Sequence, residues 1–297
     1  MILVSGGTGF VGSYLVPRMV QGGQKVRCLV RSSARTQALR EWSVELASGD
    51  VTEYRTVREA MEGADAVVHL VAIIRESKQA TFDSVNVHGT RNMVQAAEEC
   101  GVTRFVHLSA LGASNNPRYR YTCSKWQGEE AVRASHLDFV ILRPSAIFGR
   151  AYGRSFIDSV TRSLRLFPFV APVPGSGKTR FQPIWVEDVA ACIVKALEWE
   201  AGRRTYDIGG PEHLSYEQIL DAVLGALGER RAKLHMPVSL LRLMVPAMEA
   251  VMSNPLLSSV ELSQLELDNT TCLGSVERHF GFKPLALRQG LDYIRPA

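Results

Sequence analysis

The sequence predicts an α/β protein, a doubly wound parallel sheet joined to a smaller, discontinuous C-terminal domain. Three observations predict it. The N-terminal half alternates short apolar stretches with amphipathic helical ones. Several apolar stretches, such as Ala66-Val-Val-His-Leu70 and Phe139-Val-Ile-Leu142, are continuous, as strands covered on both faces require. The first stretch runs directly into Gly6-Gly-Thr-Gly-Phe-Val-Gly12. There Gly6 supplies a tight turn, Gly9 lets backbone approach a pyrophosphate, and Gly12 lets the next helix pack closely on the sheet. Thr8, Phe10 and Val11 complete this elbow, whose helix N-terminus offers N–H groups and partial positive charge to phosphate. A glycine triplet alone is weak evidence. After a strand and before a helix, it marks a Rossmann-type dinucleotide fold.

Taken in order, strands are predicted over 2–5, 25–31, 44–47, 66–70, 104–109 and 139–143. Helices fall between them over 10–21, 34–41, 54–61, 82–100 and 119–135. Right-handed crossovers between such elements give the parallel sheet. The rhythm changes after Gly149. Residues 152–166 read as helix, and 167–178, with three prolines and two glycines, as loop. Residues 186–200 read as a helix with Glu187 and Asp188 in its first turn, favourable for the dipole. A short strand covers 205–208, and Ser215-Tyr-Glu-Gln218 is a capping box opening a helix to Leu227. The expected division is a dinucleotide-binding domain of 1–150 and 181–209 and a substrate domain of 151–180 and 210–297. The substrate cleft is expected between the small domain and the carboxyl edge of the sheet.

The 297 residues, 46% of them hydrophobic, suffice for a full core. A net charge of +4 suits an anionic cofactor and argues against nucleic acid. Five scattered cysteines without a C-x-x-C pair indicate a reduced, cytoplasmic setting. Seven histidines show neither H-x-H nor H-E-x-x-H spacing, so no metal site is expected. His69 and His107 lie inside apolar strand patterns and read as hydrogen-bonded core histidines. The chain opens on a strand rather than a basic leader, and no run of eighteen apolar residues suggests a membrane span. Gly175-Ser-Gly-Lys-Thr179 is not a phosphate-binding P-loop, because Pro172 occupies the position of its first glycine.

Tyr121 and Lys125 are spaced i,i+4 near the start of the helix after the fifth strand, which puts phenol and ammonium on one face. A nearby ammonium favours the phenolate, lowering the tyrosine toward neutral pH. Such pairs are common on amphipathic helices. Placement in a dinucleotide fold is what gives this one catalytic meaning.

With these residues the chain resembles the extended and atypical branch of the short-chain dehydrogenase/reductase superfamily. The resemblance rests on the glycine elbow, Gly49-Asp50-Val51, Asn86-Val-His-Gly-Thr90, Ser109-Ala-Leu-Gly-Ala113, Tyr121-x-x-x-Lys125, Leu142-Arg-Pro-Ser-Ala-Ile-Phe-Gly149 and Gln182-Pro-Ile-Trp-Val-Glu-Asp-Val-Ala190. It covers about two-thirds of the chain. Several segments look closest to proteins similar to the nucleotide-binding accessory subunit of respiratory complex I. The resemblance implies a nicotinamide dinucleotide with tyrosine–lysine chemistry at its ring, Lys125 also holding the ribose. It places Asp50 and Val51 at the adenine, Ala72 near the sugar, Asn86 on the cofactor side and Pro144 near the nicotinamide. Competent relatives carry a Ser or Thr one residue after the strand-end serine. Here that position is Ala110, so either Ser109 substitutes for it or the third catalytic group is missing, at a cost on the order of a hundredfold in rate.

An acidic residue ending the second strand would accept from the ribose 2′-hydroxyl; this chain has Arg31, followed by Ser32, Ser33 and Arg35. A guanidinium and hydroxyls suit a 2′-phosphate, so NADP(H) is expected over NAD(H). A solvated Arg31, or one stacked on adenine, is the competing reading. Tyr152, Arg180 and Gln182 are the substrate-side candidates, the latter two suited to an anionic or carbonyl-bearing group; a solvated loop arginine is an equal reading of Arg180. The segment 238–252, apolar nearly all round, reads first as a buried helix pair split at Pro246. A methionine-lined lipid pocket and a shallow membrane contact are the alternatives.

Three functions are consistent with these residues, in this order. The first is an NADP(H)-dependent oxidoreductase or epimerase acting on a carbonyl or hydroxyl of an apolar, quinone- or isoprenoid-like molecule. In it Tyr121 exchanges a proton, Lys125 tunes it and Ser109 assists at the oxygen. The second is a protein that binds NADP(H) without turnover, in assembly, structure or redox sensing, at a membrane surface or respiratory complex. The third, a nucleotide-sugar epimerase or dehydratase, suits neither Ala110 nor the methionine- and leucine-rich C-terminal region.

Overall fold

The computed structural model describes residues 1–31, 36–150, 155–199, 202–251 and 257–295. They fall into two units, Met1–Pro144 with Glu187–Asp207, and Ser145–Val186 with Ile208–Ala297.

The first unit alternates β1 (Ile2–Ser5), α1 (Gly12–Gln21), β2 (Val26–Val30), α2 (Gln37–Arg40), β3 (Glu45–Ser48), α3 (Tyr54–Met61), β4 (Ala66–His69), α4 (Gly89–Glu99), β5 (Arg104–Leu108), α5 (Arg120–Ala134) and β6 (Asp138–Pro144). The strands join a seven-stranded sheet in the order β11-β6-β5-β4-β1-β2-β3, where β11 is Arg204–Ile208. From β3 to β6 every pairing is parallel. The order reverses between β1 and β4, the switch point where doubly wound sheets bind ligands beyond their carboxyl ends. Gly6, Ala72, Ser109 and Pro144 therefore gather at one edge, each at the C-terminal end of a strand. On one face α3, α4 and α5 bury Leu3, Val67, Phe105, Met93 and Ile141 in a single core.

The expected helix over 82–100 divides in two. Phe82–His88 is a π-helical turn, capped by the Thr81 hydroxyl on the Ser84 N–H, and it passes into α4 at Gly89. A Cβ on Gly89 would come within 2.9 Å of Val51 Cγ2, so this junction packs closely. α1 starts at Gly12 rather than at residue 10 and runs through Pro17, and α2 is one turn.

The second unit holds β7 (Ile147–Phe148), α6 (Phe156–Leu166), β8 (Val170–Pro174), β9 (Arg180–Phe181), β10 (Ile184–Trp185), β12 (Leu214–Ser215), α8 (Tyr216–Leu227), β13 (Ala232–Met236), α9 (Val238–Val251), α10 (Ser259–Gln264) and α11 (Ser275–Phe280); α7 (Val186–Glu198) leads back to the first unit. Its core joins Phe148, Ile157, Leu164, Val173, Ile219 and Leu287. The predicted loop over 167–178 contains β8, paired in parallel with β13. Pro172 and Pro174 disguise it, yet a two-stranded ribbon has free edges toward which a missing N–H can face. The segment 238–252 is also corrected. One helix continues through Pro246. Leu241 and Val245 are buried against Leu262, whereas Leu240, Leu243 and Met244 are exposed.

Candidate cofactor and catalytic site

The glycine elbow has the geometry its sequence implies. Gly6 takes φ +84°, open to glycine, where a Cβ would sit 3.2 Å from the Leu70 and Val71 backbone. A Cβ on Gly12 would lie 2.3 Å from the Gly6 carbonyl oxygen and 2.6 Å from Gly7 Cα, so only glycine lets α1 start there. A Cβ on Gly9 would meet the Gly6 oxygen at 3.0 Å and otherwise project into open space, the side a diphosphate would fill. No side chain caps α1 and its first turn carries no acid, leaving the dipole available to an anion. Thr8 and Phe10 are partly exposed, and Val11 is buried. This cradle fits a dinucleotide.

Arg31 follows β2 with its side chain largely exposed, 3.8 Å from the Asp50 carboxylate. Asp50 accepts from the N–H and hydroxyl of Thr52. Val51 is buried against Gly89. Ser32 and Tyr152 lie outside the described residues. Ala72 is partly exposed beyond β4, and Pro144, buried, accepts from the Leu111 N–H.

Asn86 holds this edge rather than presenting its amide to a cofactor. Its Oδ1 accepts from the Ile73 N–H, and its Nδ2 donates to the Ile73 carbonyl and Ser124 Oγ. The segment bearing Ala72 is thereby tied to α5.

Lys125 is buried, and its Nζ donates to the Leu108 carbonyl at 2.9 Å, at the end of β5. Burial pushes the ammonium down to about 8, against the opposing pull of Glu129. The expected lowering of Tyr121 is overturned: burial pushes its phenol up to about 12. Its ring rests beside Phe82, centroids 6.0 Å apart; Glu76 accepts from the Phe82 N–H and pairs with Arg120 at 2.7 Å. Tyr121 is thus a protonated phenol at neutral pH.

Ser109 is the larger correction. Its hydroxyl donates to the carboxylate of fully buried Glu129, which also takes Arg143 in two bonds of 2.8 and 2.6 Å and Arg133 at 2.5 Å. The serine proton is committed to this network. Glu129 went unread in the sequence, although it extends the Tyr121–Lys125 stripe by another i+4 step.

Beneath the edge lies a second buried polar layer. Ser5 Oγ bonds His69 Nδ1 at 2.6 Å, and His69 Nε2 bonds Thr90 Oγ1 at 3.1 Å. Thr90 gives its own proton to the Asn86 carbonyl, so Nε2 is the donor and Nδ1 accepts from Ser5. His69 is a neutral, satisfied core histidine, pushed down to about 3 by burial and by Lys125. His107 stacks on it, centroids 5.3 Å apart, but among the described residues neither of its ring nitrogens has a hydrogen-bond partner, contrary to expectation.

In the second unit the substrate candidates are otherwise engaged. Arg180 is paired with Asp268 at 2.7 Å. Gln182 is fully buried, donating to the Gly210 carbonyl and accepting from the Thr271 N–H, so it braces that unit. The described residues hold no cluster of side chains suited to a metal ion.

Comparison with known proteins shows the family of the chain. A model described as the NAD dependent epimerase/dehydratase family matches residues 2–209. The chain is 32% identical over 269 residues to a protein named sterol demethylase protein B of Methylococcus capsulatus, covering 81% of this chain and 78% of that one. It is 33% identical over 198 residues to a ceramide reductase of Caulobacter vibrioides, covering 65% of this chain and 60% of the other. To the mitochondrial NADH dehydrogenase [ubiquinone] 1 alpha subcomplex subunit 9 of Arabidopsis thaliana it is 28% identical, covering 80% of this chain. The match spans 60% of the length of that subunit, as it does of the ceramide reductase. A Thermus thermophilus UDP-glucose 4-epimerase solved with NAD superposes at TM-score 0.74 and 20% identity over 98% of this chain and 96% of that one, a likeness of fold. With its glycine elbow, seven-stranded sheet and tyrosine–lysine pair, this chain belongs to the NAD dependent epimerase/dehydratase family.

Proposed function

We propose that this chain is an NADP(H)-dependent oxidoreductase that reduces or oxidises a carbonyl or hydroxyl group of an apolar small molecule. The observation that carries the reading is α5 at the carboxyl edge, with Tyr121 protonated and Lys125 buried one turn on, beside an elbow that fits a diphosphate. Hydride exchange is the chemistry a nicotinamide supplies when bound there. A neutral phenol is poised to give its proton to an oxygen gaining charge, so carbonyl reduction is the direction these residues favour. Lys125, one helical turn on, is anchored on the Leu108 carbonyl at the end of β5. Arg31, largely exposed and 3.8 Å from the Asp50 carboxylate, supports a 2′-phosphate and hence NADP(H) over NAD(H). The names sterol demethylase protein B and ceramide reductase support an apolar, lipid-like substrate.

The engagement of Ser109 with Glu129, together with Ala110 beside it, favours a second reading: NADP(H) is bound without turnover, in a role at a respiratory complex or membrane surface. Relatives named as NADH dehydrogenase subunits and as a photosystem II assembly factor support it. The nucleotide-sugar reading is supported by fold likeness alone.

Stopped-flow oxidation of NADPH over a panel of apolar ketones and UDP-sugars, with wild type and Tyr121→Phe, tests the proposal. The variant is expected to keep cofactor affinity and lose on the order of a hundredfold or more in rate. Equal rates in both proteins remove Tyr121 from the chemistry, and retained NADPH with no oxidation of any compound selects the second reading. Titration of NADPH against NADH, with wild type and Arg31→Ala, tests cofactor choice. Removing the guanidinium should erase a preference of about tenfold.

A further inference from the structure

The second unit carries an apolar ridge that its own core does not use. Where α6 ends, Leu166, Phe167, Pro168 and Phe169 are all exposed, Phe169 to 87%. Leaving a phenylalanine in water forgoes the gain of burying its ring, so exposed apolar side chains in series mark a contact surface. The exposure continues on the neighbouring strand. Leu234 of β13, registered opposite Pro172 of β8, is 50% exposed, and α9, two residues beyond β13, exposes Leu243 to 76%.

Basic residues predominate around the ridge, where Glu229 is held by Arg231. No Asp or Glu occurs between Asp158 and Glu187, a stretch that holds Arg162, Arg165, Lys178 and Arg180. Arg165 is exposed beside Leu166, and exposed Arg230 leads toward β13. Neither is paired with a carboxylate among the described residues. Arg231, next in sequence, donates to the carbonyls of Leu164 and Phe167 and pairs with Glu229, which fastens the base of the ridge to the start of β13. Two phenylalanines on a fastened turn, flanked by two free guanidiniums, match an interface that is apolar inside and anionic at its surface.

We propose that this ridge docks the protein on an anionic lipid bilayer, Phe167 and Phe169 entering the interface while Arg165 and Arg230 meet lipid phosphates. The inference stands apart from the reaction assigned to the first unit. A second copy of the chain is a poorer occupant, because two-fold pairing of this face would bring like-charged arginines together. Each cation near such a surface adds an attraction that salt screens, and the aromatic rings supply the apolar part.

Co-sedimentation of the full chain with vesicles of phosphatidylcholine, alone or mixed with phosphatidylglycerol, tests it. Wild type is expected to bind the mixed vesicles at low salt, to dissociate as salt rises, and to leave pure phosphatidylcholine largely free. Phe167→Ser with Phe169→Ser, and separately Arg165→Glu with Arg230→Glu, should each weaken binding tenfold or more while thermal melting and NADPH binding stay at wild-type values. The proposal is overturned if wild type ignores the anionic vesicles or if both variants bind like wild type. A concentration-dependent dimer abolished by the phenylalanine substitutions also overturns it, assigning the ridge to a second copy.

Discussion

Glu129 fixes what the carboxyl edge of the sheet can do, because its carboxylate is fully buried. Four donors from Ser109, Arg133 and Arg143 compensate its burial. Removing one member of such a network strands the others. Glu129→Gln is therefore expected to cost about 3 kcal/mol in urea unfolding, since two arginines lose their counter-charge. Ser109→Ala should cost about 1–3 kcal/mol, from one lost donor to the carboxylate, and leave any NADPH oxidation rate unchanged. A hundredfold rate loss with undisturbed stability would show instead that the serine reaches substrate. The sequence showed Tyr121 and Lys125 because i,i+4 spacing is visible along one chain. It could not show that the next residue of the stripe meets Ser109, since that contact joins a helix to a strand end twenty residues away. The phenol's direction of shift was misread for the same reason: spacing reports proximity to Lys125, whereas burial, which dominates, depends on what else closes over the ring.

At the scale of elements, patterning worked best where both faces of a strand are covered. Strand Ile2–Ser5 matches its expected bounds, as does helix Tyr54–Met61 in the same unit. It failed at β8, where two prolines in five residues outweigh an apolar pattern, and its partner β13 lies some sixty residues onward. It fails again at α9, whose all-round apolar content predicts burial although one stripe, Leu241 and Val245, packs against Leu262 of α10. Glycines divide helices with equal clarity. In α1 a Cβ on Gly12 would strike backbone of the elbow, which cannot yield, whereas in α8 a Cβ on Gly225 would meet nothing within 4 Å. Gly12→Ala should displace α1 from the elbow and weaken NADPH binding at least tenfold, measured by fluorescence titration. Gly225→Ala should stabilise by about 0.5–1 kcal/mol, raising the melting temperature by about 2 °C. A Gly12→Ala protein that binds NADPH like wild type would contradict the close-packing role.

The sheet as a whole stores a liability that neither strand reveals alone. Parallel register sets His69 of β4 opposite His107 of β5, on the face shared with Lys125. Burial and that ammonium hold His69 down to about 3 and His107 well below its ordinary range, so both rings are neutral in the folded chain. Unfolded imidazole takes up its proton near pH 6.5. The folded values lie below the unfolded one, so the unfolded state binds more protons at acidic pH. Their contribution is complete above about pH 6.5 and is lost as pH falls toward the folded values. Each ring contributes a slope of about 1.4 kcal/mol per pH unit in that window, about 2.7 for the pair. His107→Leu tests this, since neither nitrogen has a partner among the described residues and leucine is close to it in volume. The variant should be near neutral in stability at about pH 7.5 and lose about half of the acid slope between about pH 6.5 and 5, read from urea midpoints. His69→Leu, by contrast, should already cost about 1–3 kcal/mol at neutral pH, because Ser5 and Thr90 lose their partner. If wild type and His107→Leu show the same slope, the second ring titrates in the folded state and the stacked pair is not the source of acid sensitivity.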